Sequence, residues 1–388
     1  MAGYAVLITG ATGFIGMEVL ARFLERDGRQ VYALIRARDD EEAERRLSAT
    51  LRGFFGAGDP FAGRVQAIAA DIERPGLGLD RMRRAELAEE VTDIVHAAAS
   101  VSFTLPLERS REINVDGTAR MLEFAGLCRQ RGELRRFSYV STAYVAGLHA
   151  GEFGEQDLDV GQQFRNPYEQ SKFEAELLVR GHAGRIPIQV FRPSIVVGEQ
   201  TTGWTASFNV LYAPMKAFVR GGLPALPARR SSLVDVVPVD YVADAIYELS
   251  GDPVDEIQTY HLVAGSNATT VGRVIEMTAA CLGRHTPVVL PPSLFRRMIY
   301  PVLVRRGSER VRKSLERTKA LFPYFSMGVS YADAAARARL EPAGIIAPPL
   351  ETYLPGLIAY ASRAGWGRAP LTRAQCAAAS EARDLAAA

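Results

Sequence analysis

Cysteine is scarce in this chain of 388 residues: Cys128, Cys281 and Cys376 are odd in number and far apart. They supply neither a disulfide framework nor a CxxC metal pair, so a reducing compartment is the expectation. Surplus charge is lacking as well. The 46 Lys and Arg face 44 Asp and Glu for a net charge of +2, which gives no basic excess to attract nucleic acid. No apolar run reaches the roughly 18 residues of a membrane span. The opening MAGYAVLITG enters an apolar strand without a basic leader or cleavage site, and a cytoplasmic location is expected. What is abundant is core material: 48% hydrophobic against 23% charged residues excludes disorder, collagen and coiled coil.

Along the first half, short β-branched runs alternate with helical patterns, the rhythm of a parallel sheet covered on both faces. Six strands are expected, at 5–9, 30–35, 65–69, 93–98, 137–141 and 188–192. After Pro193 a Gly/Pro-rich region intervenes before strand and helix return at 232–249. The expected fold is α/β: a Rossmann-type doubly wound parallel sheet with a smaller, mostly helical C-terminal substrate lobe. Residues 1–198 with about 230–250 form the dinucleotide domain, and about 199–229 with 251–373 form the lobe. A strand at 258–263 and helices near 271–282, 292–319 and 350–364 fall in the lobe. Residues 374–388 read as an Ala-rich tail or a short appended helix.

The strongest local signal is VLITGATGFIG, where Gly10, Gly13 and Gly16 follow a strand and open a helix. The first glycine allows a tight turn, the second a close backbone approach to a pyrophosphate, and the third close helix–strand packing. Thr12, Phe14 and Ile15 lie within the same turn and helix start, whose free N–H groups face an anion. No Gly-Lys-Ser/Thr follows, which excludes a P-loop. At the end of the second strand an NAD enzyme carries an acid; here ALIRAR presents Arg36 and Arg38, which suit a 2′-phosphate and favour NADP(H). After the fourth strand, Ala97 and Ala98 of HAAASV leave room at the sheet edge, and His96 reads as a packed strand residue. Asn114 either positions the nicotinamide side or stabilises a helix kink.

Tyr168 and Lys172 of NPYEQSK are four apart, one turn of a helix, so the lysine ammonium is expected to lower the tyrosine pKa towards working pH. Thr142 of YVSTAYV would hold a substrate carbonyl beside Tyr168, with Ser141 as the alternative hydroxyl.

The GxxGxxG spacing resembles the short-chain dehydrogenase/reductase group. That resemblance implies an adenine position at Asp71 and Ile72, an active-site hydroxyl at Thr142, and backbone contact to the nicotinamide carboxamide from Pro193, Ser194 and Ile195. TGATGFIG, ALIRAR, HAAASVSF, YVSTAYV, YEQSK, RPSIVVGE with TTGWTASFN, and VPVDYVADAI together resemble the fatty acyl-CoA reductase and thioester reductase branch of the extended members, over about residues 4–250. Gly203-Trp204 to Asn209 is the most discriminating element. The resemblance implies NADPH-dependent reduction of an acyl thioester, on coenzyme A or a carrier protein, to aldehyde and on to alcohol where the aldehyde stays bound.

The stretch 294–319 holds nine Lys and Arg against Glu309 and Glu316. It suits anionic lipid at a membrane periphery, coenzyme A phosphates or an acidic carrier, or a solvated helix face. Two competing readings remain: an extended short-chain dehydrogenase acting on a hydroxysteroid or nucleotide sugar, and a non-catalytic NADPH sensor. Tyr168→Phe separates the sensor from the enzymes. Turnover is expected to fall by about 10²–10⁴-fold while NADPH affinity, followed by fluorescence titration, survives; unchanged turnover would remove Tyr168 from the chemistry.

Overall fold

The computed structural model describes residues 4–378 except 57–59, 62, 209, 220–224, 255–256, 310, 313–314 and 316–318. Asn209, several cations of the basic stretch and the end of the Ala-rich tail lie outside the described residues.

Strand β1 (Ala5–Thr9) is buried along its whole length, as a central parallel strand must be. Its alternation divides the core: Val6 and Ile8 join one apolar cluster, while Ala5 and Leu7 join another across the sheet. Helix α1 (Phe14–Arg26) leads to β2 (Gln30–Ile35), α2 (Asp40–Phe55) and β3 (Val65–Ala69). The chain then returns through α3 (Arg81–Glu90), β4 (Val91–His96), α4 (Gly117–Arg131), β5 (Arg136–Val140), α5 (Pro167–Arg180), β6 (Ile188–Pro193), α6 (Val239–Leu249) and β7 (Gln258–Leu262). The seven strands lie in the order β7-β6-β5-β4-β1-β2-β3, all parallel. The order reverses between β1 and β4, and in such sheets a ligand crevice opens at the carboxyl ends of the strands there.

The sequence reading placed 258–263 in the substrate lobe, yet β7 pairs with β6 from Gln258↔Gln189 to Leu262↔Pro193. Strand β6 is buried throughout, and an unpaired inner edge would strand its backbone groups. The helix Ala334–Leu340, also expected in the lobe, buries Ala336 and Leu340 in the same core cluster. A separate cluster forms the lobe proper, centred on Leu211, Met215, Val274 and Phe295 with α8 (Leu350–Arg363); α7 (Val271–Cys281) supplies Val274. The expected helix at 292–319 is broken. Pro301 has no N–H to donate, the backbone takes a wide turn over Phe295–Ile299, and the helix ends at Arg306 before Gly307. Of the tail, residues 373–378 are helical, and Cys376 is buried among Ala21, Phe54, Trp204 and Tyr360.

Arg192 on β6 and Glu176 on α5 are both fully buried. Arg192 Nη2 lies 2.6 Å from Glu176 Oε1 and 2.6 Å from the carbonyl of Asp157, while Nη1 donates to His261 Nε2 on β7 at 3.1 Å. Ser141 Oγ donates to the other Glu176 oxygen at 2.6 Å. Against the upward pull of burial, the arginine holds Glu176 below the usual carboxylate range. Removing one member of such a pair leaves the other charged and desolvated. Arg192→Met is expected to lower unfolding free energy by about 3–5 kcal/mol, read from urea denaturation; a loss within experimental error would show that the pair is dispensable.

Candidate active site

The glycine turn is built as its spacing requires. Gly10 has φ of +75°, and a Cβ there would meet Ala98 N at 2.8 Å. At Gly16 a Cβ would lie 2.1 Å from the Gly10 carbonyl, so helix and turn are in backbone contact. Helix α1 starts at Gly13 with no side-chain cap and no acid in its first turn. Its first N–H groups and positive dipole end therefore face the crevice, the arrangement that holds a pyrophosphate.

Arg36 and Arg38 stand exposed at the end of β2. Arg36 reaches Glu73 at 3.3 Å, and Arg38 reaches Glu42 at 2.6 Å. Exposed, solvent-screened pairs of this kind contribute little to stability, so either guanidinium can exchange its partner for a phosphate. Asp39 caps α2 by accepting from Glu42 N at 2.8 Å. Asp71 accepts from Glu73 N at 2.9 Å, and Ile72 packs against Gly117, where a Cβ would clash at 2.9 Å. Ala97 and Ala98 lie beside Gly10 as half-buried small residues.

Thr142 follows β5, where its Oγ1 accepts from Tyr144 N at 3.2 Å, and its side chain interacts with that of Tyr168 at the first turn of α5. Asn166 caps that helix, its Oδ1 accepting from Glu169 N at 3.1 Å, with Pro167 at the first position. Ser141 is bound to Glu176, which leaves Thr142 as the hydroxyl facing Tyr168. Pro193 brings its carbonyl to 3.5 Å from Thr142 Oγ1. The amides of Ser194 and Ile195 already donate to Leu262 and Asp235 carbonyls, so this segment offers no free N–H there. Asn114 uses its whole amide within the fold: Oδ1 accepts from Ser100 N at 2.8 Å, and Nδ2 donates to Ser100 O at 3.1 Å and Ser171 Oγ at 2.9 Å. It lies in the wide turn Glu112–Asp116, and of its two readings the kink-stabilising one matches these bonds.

Lys172 departs from expectation. Its Nζ donates to Tyr139 Oη at 2.7 Å and to the Val140 carbonyl at 2.8 Å, both on β5, and sits 4.2 Å from the Tyr139 ring centre. A buried ammonium must find acceptors, and β5 supplies them one turn away from the Tyr168 hydroxyl. Tyr168 is accordingly not tuned down: desolvation pushes it up to about 12, with the Thr142 bond pulling against. Burial brings Lys172 down to about 7, partly opposed by Glu176. Beyond Tyr139 lies a buried chain. Thr118 Oγ1 donates to the Asn114 carbonyl at 2.6 Å, His96 Nε2 lies 3.1 Å from Thr118 Oγ1, and His96 Nδ1 lies 2.8 Å from Thr9 Oγ1. Burial lowers His96 to about 3, so it is a neutral packed residue, as expected.

Tyr324, in the segment FPYFS, escaped sequence reasoning as a functional position. It donates to Glu169 Oε1 at 2.5 Å, accepts from Asn166 Nδ2 at 2.7 Å, and stacks on Phe103 at 5.3 Å. Phe103 in turn lies 5.6 Å from the Tyr168 ring. Next to Tyr324, Phe325 enters an apolar slot lined by Leu211, Met215, Leu226, Val234 and Val274, with Thr278 as its one polar side chain. Trp204 of the discriminating Gly-Trp element is not in the cleft. It is buried against Phe54 and donates to the Leu371 carbonyl at 3.0 Å, which anchors the C-terminal segment.

A family model described as male sterility protein, an NAD-binding family, matches residues 8–246. The carboxylic acid reductase of Mycobacterium tuberculosis is 32% identical over 293 residues, covering 66% of this chain and 24% of that protein. The nonribosomal peptide synthetase asaC of Aspergillus flavus is 30% identical over 269 residues, covering 66% of this chain and 26% of its own. The chain thus spans about a quarter of the length of these relatives. Among solved structures, the terminal R domain from the myxalamid PKS-NRPS biosynthetic pathway superposes with a TM-score of 0.81 at 27% identity, covering 95% of this chain and 93% of that one.

The depressed pKa of Lys172 has a signature in stability. Between about pH 7 and pH 10.5 the unfolded chain holds a proton on this amine that the folded chain does not, so this group adds stability as pH rises through that window. Thermal unfolding of Lys172→Met between pH 7 and pH 9 is expected to lose this upward component relative to wild type; parallel profiles would contradict the depressed pKa.

Proposed function

This chain belongs to the NAD-binding family described as male sterility protein, and on that premise we propose that it reduces an acyl thioester with NADPH to an aldehyde. The observation that carries the proposal is the placement of Thr142 with Tyr168 at the carboxyl edge of the sheet, where the glycine turn also lies, joined through the Phe103–Tyr324 stack to the apolar slot beside Phe325. Gly10, Gly13 and Gly16 with the α1 N-terminus would hold the pyrophosphate, and Arg36 and Arg38 the 2′-phosphate. When bound, NADPH supplies the hydride.

The chain's own residues do the rest. Thr142 and Tyr168 would grip the carbonyl oxygen and donate to it as negative charge develops there. A tyrosine pushed up to about 12 stays protonated at neutral pH, which fits a donor to an oxyanion better than a base. Collapse of the thiohemiacetal breaks the carbon–sulfur bond, the thiolate leaves and takes a proton, and an aldehyde remains. Lys172, held on β5, secures the helix that presents Tyr168. The slot's lining suits an alkyl or aryl acyl group, whereas a sugar would meet only the Thr278 hydroxyl. That difference favours an acyl substrate over a nucleotide sugar.

For the thiol carrier, the relatives' synthetase setting supports a carrier-protein arm, with coenzyme A as the second candidate. Arg296, Arg297, Arg305 and Arg306 are exposed beside exposed Leu294, Met298 and Val302, a face suited to phosphate-bearing carriers or an anionic lipid surface. No described helix is long and apolar enough to cross a membrane.

The deciding experiment offers the protein NADPH and acyl thioesters of graded chain length, on coenzyme A and on a carrier protein, and quantifies thiol and products together. Thiol release matched to aldehyde is expected, and NADPH consumption in excess of thiol reads further reduction to alcohol. NADPH binding with no thiol released from any thioester would overturn the proposal.

A further inference from the structure

Outside the residues assigned to the cofactor, a solvent-open recess of about 510 Å³ lies between α3, α4 and the loop that precedes β6. Arg84, Arg120, Arg129 and Arg185 line it together with His182, and the one carboxylate among the lining residues is Glu123. Neighbouring arginines on the same helices are neutralised, Arg83 by Asp40 and Arg131 by Glu89. None of the four in the recess is in an ion pair among the described residues. Arg120 commits one N–H to the Ile72 carbonyl at 3.2 Å, and Arg129 commits one to the Leu134 carbonyl at 3.4 Å. Arg84 Nε is buried without any hydrogen-bond partner. Each guanidinium carries five donors, so most of this capacity is unspent.

The wall is shaped around one of these groups. Gly76, Leu77 and Gly78 take φ of 62°, 64° and 71° in succession, a left-handed run that a leucine adopts only under constraint. The buried Leu77 side chain supplies that constraint. The run brings Gly76 so close to Arg84 that a Cβ would lie 2.8 Å from its Nη1. Below the arginines, Phe124 and Ile186 form a buried apolar floor.

We propose that this recess binds a small organic anion carrying two phosphate groups, at a site separate from the cofactor cleft. Four guanidinium charges less that of Glu123 leave a local excess of three. Two phosphate esters at roughly −1.5 to −2 each match that excess, and one carboxylate does not. Planar forks pair with phosphate oxygens two at a time, and the apolar floor accepts the carbon skeleton. The volume lies within the range of about 300–1,000 Å³ typical of small-molecule sites. The recess borders the expected adenine position, since Arg120 donates to the Ile72 carbonyl and the Leu77 carbonyl accepts from Asp71 N, but it shares no lining residue with the glycine turn or with Arg36, Arg38, Asp71 and Ile72.

Calorimetric titration tests this on the full chain, saturated with NADP⁺ to block the cleft, at about 0.15 M salt. Fructose 1,6-bisphosphate and inorganic tripolyphosphate are the probes. Saturable binding at one site per chain is expected, weakened at least about tenfold in Arg84→Gln/Arg185→Gln and unchanged in Arg36→Gln/Arg38→Gln. Thermal unfolding of the first double variant should match wild type, because neither arginine supports the fold through an ion pair. No saturable binding of either probe up to millimolar concentration overturns the proposal. So does binding that survives Arg84→Gln/Arg185→Gln, or that is lost with Arg36 and Arg38.

Discussion

The buried Glu176–Arg192 pair is the constraint around which the catalytic half of the molecule is organised. Glu176 lies one turn beyond Lys172 on α5, and Arg192 is the penultimate residue of β6. Their contact fixes how far the helix bearing Tyr168 stands from the sheet. The same two side chains hold Ser141 out of the cleft, engage His261 on β7, and tie down the carbonyl of Asp157. His261 is kept neutral by burial, then by the arginine charge, which moves it down to about 3; its other ring nitrogen meets the Ala332 carbonyl at 2.6 Å. Desolvating two charges is costly unless every lone pair and proton finds a partner, and here sheet, helix and loop supply those partners together. Thr142 is left as the hydroxyl beside Tyr168 by this exclusion as much as by its own position.

Much of the dinucleotide half was legible because its signals are local. Strands β1, β2 and β3 fall at the residues the β-branched runs indicate, since a fully buried parallel strand has little choice of composition. The glycine spacing forecast contacts that can be measured as missing Cβ atoms. The identity of the hydroxyl facing Tyr168 was also legible in YVSTAYV, but only up to the choice between neighbours, because the residue that removes Ser141 lies 35 positions away. The partner of Lys172 was misjudged for a related reason. Helical spacing puts Lys172 and Tyr168 on one face but says nothing of what the sheet beneath offers, and Tyr139 offers an acceptor closer to hand.

Where contacts run between distant segments, the sequence was a weaker guide. Strand β7 carries a mixed pattern, QTYHL, whose polar members are explained only by its neighbours. Tyr324 touches a helix cap more than 150 residues earlier, and no period or motif points to that pairing. Through Phe103 and Glu169, the lobe reaches Tyr168 from two sides. In the reaction proposed above, substrate recognition and proton donation would share one aromatic stack, and the geometry of Tyr168 depends on how the lobe is seated.

The placement of β7 and of the helix Ala334–Leu340 in the sheet's own core means that the chain passes between the two bodies repeatedly. It leaves after β6, returns for α6 and β7, leaves for α7, returns at Ala334–Leu340 and leaves again for α8. A lobe woven in this way cannot be exchanged as a cassette. Grafting a relative's lobe onto this scaffold would demand simultaneous matching at every crossing, and change in what the slot accepts is confined to side-chain changes within it and insertions at its rim.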